Sequence, residues 1–177
     1  MRKLFYLLIF LLFNCNHKTD NSELNLILLT DQNSREFKIS SLVDKQIIYF
    51  FGFSHCPDKC PIALNTLSHV LNKKNRDIIG IFITLDPLRD DPIKLSRFIK
   101  ENPSEKLIAL TGNAEEIEKL ARFFGIVSIR KDFAKSEYLL DHSNQFILVG
   151  KNHKILGRLP ANITSTTLEK EVDLFFH

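Results

Sequence analysis

Gln46-Ile-Ile-Tyr-Phe-Phe51 and Ile78-Ile-Gly-Ile-Phe-Ile-Thr-Leu85 are short apolar runs rich in β-branched and aromatic residues, the composition of buried strands. Between them, Ala63, Leu64, Leu67, Val70 and Leu71 recur at helical spacing through Lys73. Asp91-Pro92 then supplies an N-cap and a first-turn proline for a second helix, carrying Leu95, Phe98 and Ile99, which Asn102-Pro103 ends. Leu107 to Leu110 is a third strand. Asn113-Ala-Glu-Glu116 has the pattern of a capping box, ahead of a helix striped by Ile117, Leu120, Ala121 and Phe124 and stopped at Gly125. Gln145 to Val149 and Lys154 to Leu159 read as a hairpin through Gly150-Lys-Asn-His153, and Thr164 to Phe175 as a closing helix. Residues 24–43 add an N-terminal strand or hairpin, and residues 126–138 hold a short strand or hairpin with a weaker pattern.

A βαβα unit, a β-hairpin and a closing helix make the plan of a thioredoxin-like domain, an α/β fold with a central mixed sheet and helices on both faces. At 177 residues the chain fits one domain with a genuine core, and 15 phenylalanines without tryptophan give that core its character. The N-terminus has a separate task. Arg2 and Lys3 precede an unbroken apolar run from Leu4 to Phe13, too short to span a bilayer and suited to a signal-peptide core. Leu12-Phe13-Asn14-Cys15 resembles a bacterial lipobox, with Phe13 and Asn14 in place of the usual small residues. Cys15 is thereby a lipidation cysteine, the alternative being an ordinary cleaved signal with Cys15 incidental. The expected organisation is a lipoprotein-type signal over residues 1–15, a polar tether over 16–24 and the folded domain over 25–177. Of the 24 basic residues, Arg2 and Lys3 lie in the signal, leaving 22 against 21 acidic ones. The near-neutral domain has no basic block for nucleic acid.

With Cys15 assigned to the anchor, Cys56 and Cys60 are the domain's two thiols, set in Phe51-Gly-Phe-Ser-His-Cys-Pro-Asp-Lys-Cys-Pro61 after the first strand. Placed i and i+4 on a helix, the two sulfurs would share one face, and a helix amino end lowers thiol pKa. Functional loops of parallel α/β units gather beyond the carboxyl ends of the strands. The cysteine loop, Asp86-Pro-Leu-Arg-Asp90 and Asp141-His142-Ser143 are all expected at that edge. Two thiolates and an imidazole suit copper in either oxidation state. The same pair also reads as a disulfide, as a redox couple of nucleophile and resolver, or, counting His55 and one more histidine, as a zinc site. Zinc's structural spacings usually come in two halves, and only one is present here.

Gly52-Phe-Ser-His-Cys56-Pro-Asp-Lys-Cys60-Pro61 resembles the Gly-Phe-Thr-x-Cys-Pro-Asp-x-Cys-Pro signature of the Sco/SenC family, copper proteins of cytochrome c oxidase assembly. Thr84-Leu-Asp86-Pro87-Leu-Arg89-Asp90-Asp-Pro92, Leu110-Thr-Gly112 and Tyr138-Leu-Leu-Asp141-His142-Ser143 match further family segments in order. The resemblance implies one copper, Cu(I) or Cu(II), held by Cys56, Cys60 and His142. It also implies attachment to the outer face of a membrane; with the lipobox-like segment, a lipid-anchored protein facing the bacterial periplasm or the outer face of the inner membrane is expected. The expected partner is cytochrome c oxidase subunit II, whose Cu-A centre receives copper, with another periplasmic copper chaperone or a thiol reductant upstream. The alternative is a thiol–disulfide oxidoreductase that reduces the Cu-A cysteines or acts in redox signalling. The four-residue spacing, the absence of a tryptophan before the pair and of a proline just before residue 145 argue against a general thioredoxin. Asp86 and Asp90 are read equally as groups that tune the site or contact the partner and as turn and cap residues. Tyr138 reads as packing, Phe53 as a shield for the site, and His69 as a surface histidine.

Overall fold

The structure is a computed structural model that describes residues 22–73, 76–133 and 138–176. Cys15, the signal and most of the tether lie outside the described residues. Chain order is α1 (Ser22–Leu26), β1 (Leu28–Asp31), β2 (Glu36–Lys38), β3 (Gln46–Gly52), α2 (Lys59–Leu71), β4 (Ile78–Thr84) and α3 (Pro92–Lys100), followed by β5 (Leu107–Thr111), α4 (Ala114–Phe123), β6 (Ser128–Asp132), β7 (Tyr138–His142), β8 (Gln145–Val149), β9 (Ile155–Pro160) and α5 (Ser165–Phe175). Leu24, placed in the tether by sequence, is fully buried on α1, so the packed domain takes in residues just before 25.

Seven strands form one mixed sheet in the order β2-β1-β5-β4-β3-β8-β9, with β3, β4 and β5 parallel and β8 antiparallel to β3. The strand period of two explains the two cores. Ile48 and Phe50 of β3 point to one face, where Leu64 and Leu67 of α2, Leu95 and Phe98 of α3, and Leu168 and Val172 of α5 cover them. Ile47, Tyr49 and Phe51 point to the other, under Ile117, Leu120 and Phe124. Because both faces are covered, β3 reads as one continuous apolar run. The α/β thioredoxin-like expectation holds.

Local signals act where the sequence puts them. Asp91 caps α3 by accepting from the Lys94 amide at 2.8 Å, with Pro92 in the first turn. Gly125 takes φ +61°, and Ile126 N–H reaches back to the Ala121 carbonyl at 2.8 Å, a Schellman closure of α4. The capping box at Asn113 is only half made. Asn113 accepts from the Glu116 amide, but Glu116 turns away and accepts from the Leu28 amide at 3.2 Å, tying β1 to α4. In the stretch with the weaker pattern, β6 pairs antiparallel with β7 as a two-stranded ribbon outside the main sheet.

The register positions the site. Gly52 pairs with Thr84 at the carboxyl ends of β3 and β4, and Leu85 N–H donates to the Gly52 carbonyl at 2.7 Å. Phe146, near the amino end of β8, faces Phe50. The cysteine loop, the 85–91 loop and the end of the β6–β7 ribbon therefore meet at one edge.

Candidate functional site

Cys56 does not sit on the helix with Cys60. Helix α2 begins at Lys59 with Asp58 as N-cap, so the expectation of two sulfurs on one helical face is corrected. Pro57 is the reason: a residue preceding proline is steered away from the α region, so the helix cannot include Cys56. Pro61 is tolerated because a first-turn residue needs no intrahelical N–H donor. The sulfurs still meet, by a different route. Cys56 lies in the loop ahead of α2, and its sulfur accepts from the Cys60 amide at 3.4 Å in the manner of a cap.

This geometry divides the two thiols. Cys56 is half-buried and Cys60 wholly so, and both are free thiols. A hydrogen bond from the Cys60 thiol, helped by the amides of Cys60, Asp58 and Lys59 against the cost of burial, holds the Cys56 pKa at about 5. The same bond, with burial, drives the Cys60 pKa far up. At neutral pH the pair is one thiolate and one thiol.

His142 closes the ribbon opposite Ser128, and its Nε2 stands 3.9 Å from Cys60 Sγ. Its Nδ1 lies 3.0 Å from the Ser143 carbonyl. A carbonyl only accepts, so Nδ1 carries the proton and Nε2 turns its lone pair toward the thiols. Phe53, 2% exposed, meets the imidazole edge-on at 5.9 Å between ring centroids and screens it from one side. Cys60 is the member common to both contacts. Among the described residues no three His, Cys, Asp or Glu side chains are already gathered as a metal cage.

Gly52 leaves room for the buried sulfur. A Cβ at that position would lie 2.8 Å from Cys60 Sγ and 3.1 Å from the Phe82 ring. Gly52→Ala is expected to displace Cys60 and lower the unfolding free energy by about 1–3 kcal/mol, measured by urea titration. An unchanged midpoint would mean the loop yields freely.

The two aspartates are structural organisers. Asp90 is fully buried and accepts from Ser54 N–H at 2.8 Å, from Thr84 Oγ1 at 2.7 Å and from Ser54 Oγ. It therefore bridges β4 to the cysteine loop. Asp86, 3% exposed, accepts from Arg89 Nε and from the Tyr138 hydroxyl. Both carboxylates are buried, and neither caps α3, a place taken by Asp91. Tyr138, expected as packing, is a hydrogen-bond donor with the Arg89 guanidinium 3.6 Å and the Arg130 guanidinium 3.8 Å from its ring centroid. Its signal was present in the sequence, since the strand period puts Tyr138, Leu140 and His142 on one face.

His55 is exposed, with Nδ1 3.1 Å from Ser54 Oγ and 3.6 Å from Asp90 rather than turned to the thiols. His69 is exposed on α2 and bonds the Asn65 carbonyl at 2.8 Å. His153, read as a plain turn residue, is 4% exposed at the far edge, where burial lowers its pKa.

A thioredoxin-like domain with a split thiolate–thiol pair and an imidazole directed at it defines a class of thiol proteins equipped for soft-metal or disulfide chemistry. The chain belongs to the SCO1/SenC family, whose model matches residues 24–175. It is 38% identical over 134 residues to a SCO2-like protein of Rickettsia conorii, a match covering 72% of this chain and 64% of that protein's length. The copper-bound ScoI of Arabidopsis thaliana superposes with a TM-score of 0.78 at 29% identity, covering 85% of this chain and 95% of that one. The copper-bound ScoI of Bradyrhizobium japonicum gives 0.76 at 27% identity, with 84% and 96% covered.

Proposed function

We propose that this protein is a copper metallochaperone for the Cu-A centre of cytochrome c oxidase, carrying one copper as cargo on Cys56, Cys60 and His142. The observation that carries the reading is the His142 Nε2 lone pair 3.9 Å from the Cys60 sulfur, with Cys56 beside it as a ready thiolate. Soft sulfur donors suit Cu(I), and the added imidazole lets the same set accept Cu(II). Copper bound in two solved family relatives supports the assignment. Cargo would be received from another periplasmic copper chaperone and passed to oxidase subunit II. A lipid on Cys15 would hold the domain at the outer face of the inner membrane. Among the described residues no helix is long and apolar enough to cross a membrane.

The test is copper stoichiometry and the thiolate-to-Cu(II) absorption of the reduced protein. About one equivalent is expected for wild type, and His142→Ala is expected to lose the Cu(II) band while retaining Cu(I) on its thiols. A wild type that takes up no copper, or a variant with an unchanged Cu(II) spectrum, refutes the three-ligand reading.

A second reading is favoured by the division of the thiols. The Cys56 thiolate would attack a disulfide of the Cu-A site cysteines, releasing one partner thiolate and forming a mixed disulfide. Cys60, losing its proton, would then attack Cys56. The products are a Cys56–Cys60 disulfide and a reduced partner, two electrons having passed. A thiol reductant would reset the protein. Incubating reduced protein with an oxidised subunit II domain, with and without copper, separates the two: disulfide transfer without metal belongs to the second reading alone.

A further inference from the structure

We infer that Tyr138, Asp86 and Arg89 form a latch that fixes the His142-bearing ribbon to the cysteine loop, making Tyr138 a positioning residue for His142. The inference rests on the copper reading for what the imidazole holds, but not for the latch itself. The ribbon has no strand partner in the main sheet; the chain ties its His142 end to β8 through Ser143 and Asn144, and side chains must hold the end that carries Tyr138. At its inner end, Ser143 N–H donates to the Val127 carbonyl at 2.9 Å, which closes the ribbon on itself rather than onto the domain.

A second attachment comes from Tyr138, four residues before His142 and on the same face, about 13 Å along the strand. Its hydroxyl donates to Asp86 Oδ1. Arg89 Nε donates to the other oxygen of that carboxylate, and Arg89 Nη1 donates to the Tyr138 carbonyl at 3.1 Å. The arginine fork thus grips the backbone of the ribbon and the carboxylate beneath it while its guanidinium lies over the Tyr138 ring. The phenol keeps its donor proton, since burial and Asp86 both push its pKa up.

The latch also joins the network that seats the cysteines. Asp86 N–H donates to Thr84 Oγ1 at 2.9 Å, the Thr84 hydroxyl donates to Asp90, and Asp90 accepts from Ser54, two residues from Cys56. One hydrogen-bonded path runs from the ribbon to the cysteine loop. Because His142 Nε2 stands 3.9 Å from Cys60 Sγ, a small shift of the ribbon brings the imidazole closer to the thiols or carries it away.

Tyr138→Phe keeps the ring and removes the donor. In the reduced, metal-free full chain it is expected to speed amide hydrogen exchange across 128–132 and 138–142 by about tenfold, the weight of one lost hydrogen bond to a charged acceptor, while β3 and β4 exchange as in wild type. Arg89→Lys, which keeps the charge and loses the fork, is expected to do the same and serves if Tyr138→Phe does not fold. In copper titrations Tyr138→Phe alone is expected to weaken Cu(II) retention by about tenfold, and to leave unchanged the Cu(I) that a His142→Ala background still holds on its thiols. Ribbon amides that exchange as in wild type, or a uniform acceleration through β3 and β4, overturn the latch. A loss of Cu(I) by about tenfold in the His142→Ala background overturns its action through His142. A wild type that binds no copper refutes the chaperone reading, and the exchange measurement still decides the latch.

Discussion

Asp90→Ala is expected to be the most destabilising single substitution at the site, lowering the unfolding free energy by about 3–5 kcal/mol. Asp90 has no exposed surface and accepts three hydrogen bonds, two from Ser54 and one from Thr84. Hydrogen bonds to a charged acceptor contribute about 1.5–3 kcal/mol each, and a buried donor left unpaired costs about 1–3 kcal/mol. The figure lies below the sum because the Ser54 and Thr84 hydroxyls can rotate toward other acceptors. Asp90→Asn keeps the shape but brings an amide N–H₂ against donors, and is expected to lose about half as much. Urea titration at constant m measures both. A loss under about 1 kcal/mol for the alanine variant would mean that water replaces the carboxylate.

Cys60→Ala is expected to move the midpoint of Cys56 alkylation against pH from about 5 to about 8. The largest cause of the low value, the Cys60 thiol donor, is removed, while the amides at the start of α2 remain and keep the new midpoint below that of a free thiol. The midpoint is the proper measure, because intrinsic nucleophilicity rises with pKa and offsets the falling thiolate fraction at neutral pH. A midpoint still near 5 would assign the depression to the helix amides alone. The same shifts give a pH dependence of stability. For Cys56 the folded pKa lies below that of the unfolded thiol, so between about pH 5 and about 8.5 the unfolded chain binds more protons. Its contribution to stability is therefore complete above that window and lost as pH falls through it. Cys60 is shifted the other way: above about pH 8.5 the unfolded chain ionises it while the folded state keeps it protonated, and stability falls. Denaturation of the reduced protein across pH is expected to peak between these slopes, and Cys60→Ala to flatten both.

The main sheet was legible in the sequence because β3 and β4 are buried on both faces and therefore apolar throughout. Ribbon β6–β7 showed only as a weaker strand-or-hairpin pattern over residues 126–138. All five residues of β6 are exposed, and β7 sets Tyr138, Leu140 and His142 inward against Leu139 and Asp141 outward, so hydrophobicity there marks the strands only weakly. Cys56, Cys60 and His142 meet at one edge, but not by the i,i+4 route: Pro57, visible in the sequence, outweighs that spacing and puts Cys56 ahead of the helix. Asp86 and Asp90 were equivocal because a carboxylate in a loop looks alike in sequence whether it faces solvent or a buried hydroxyl. Only the tertiary approach of Tyr138 and Ser54 distinguishes the cases.

The outer strands of the seven-stranded sheet set how copies of this domain behave at high density. One margin is β2, three residues long with Glu36 and Lys38 paired at 3.8 Å, and the other is β9, which ends on Pro160. A three-residue charged margin offers too little unpaired backbone to recruit another strand, and a proline lacks the amide donor that sheet extension needs. At high density these two margins give the main sheet little purchase for joining edge to edge with a copy.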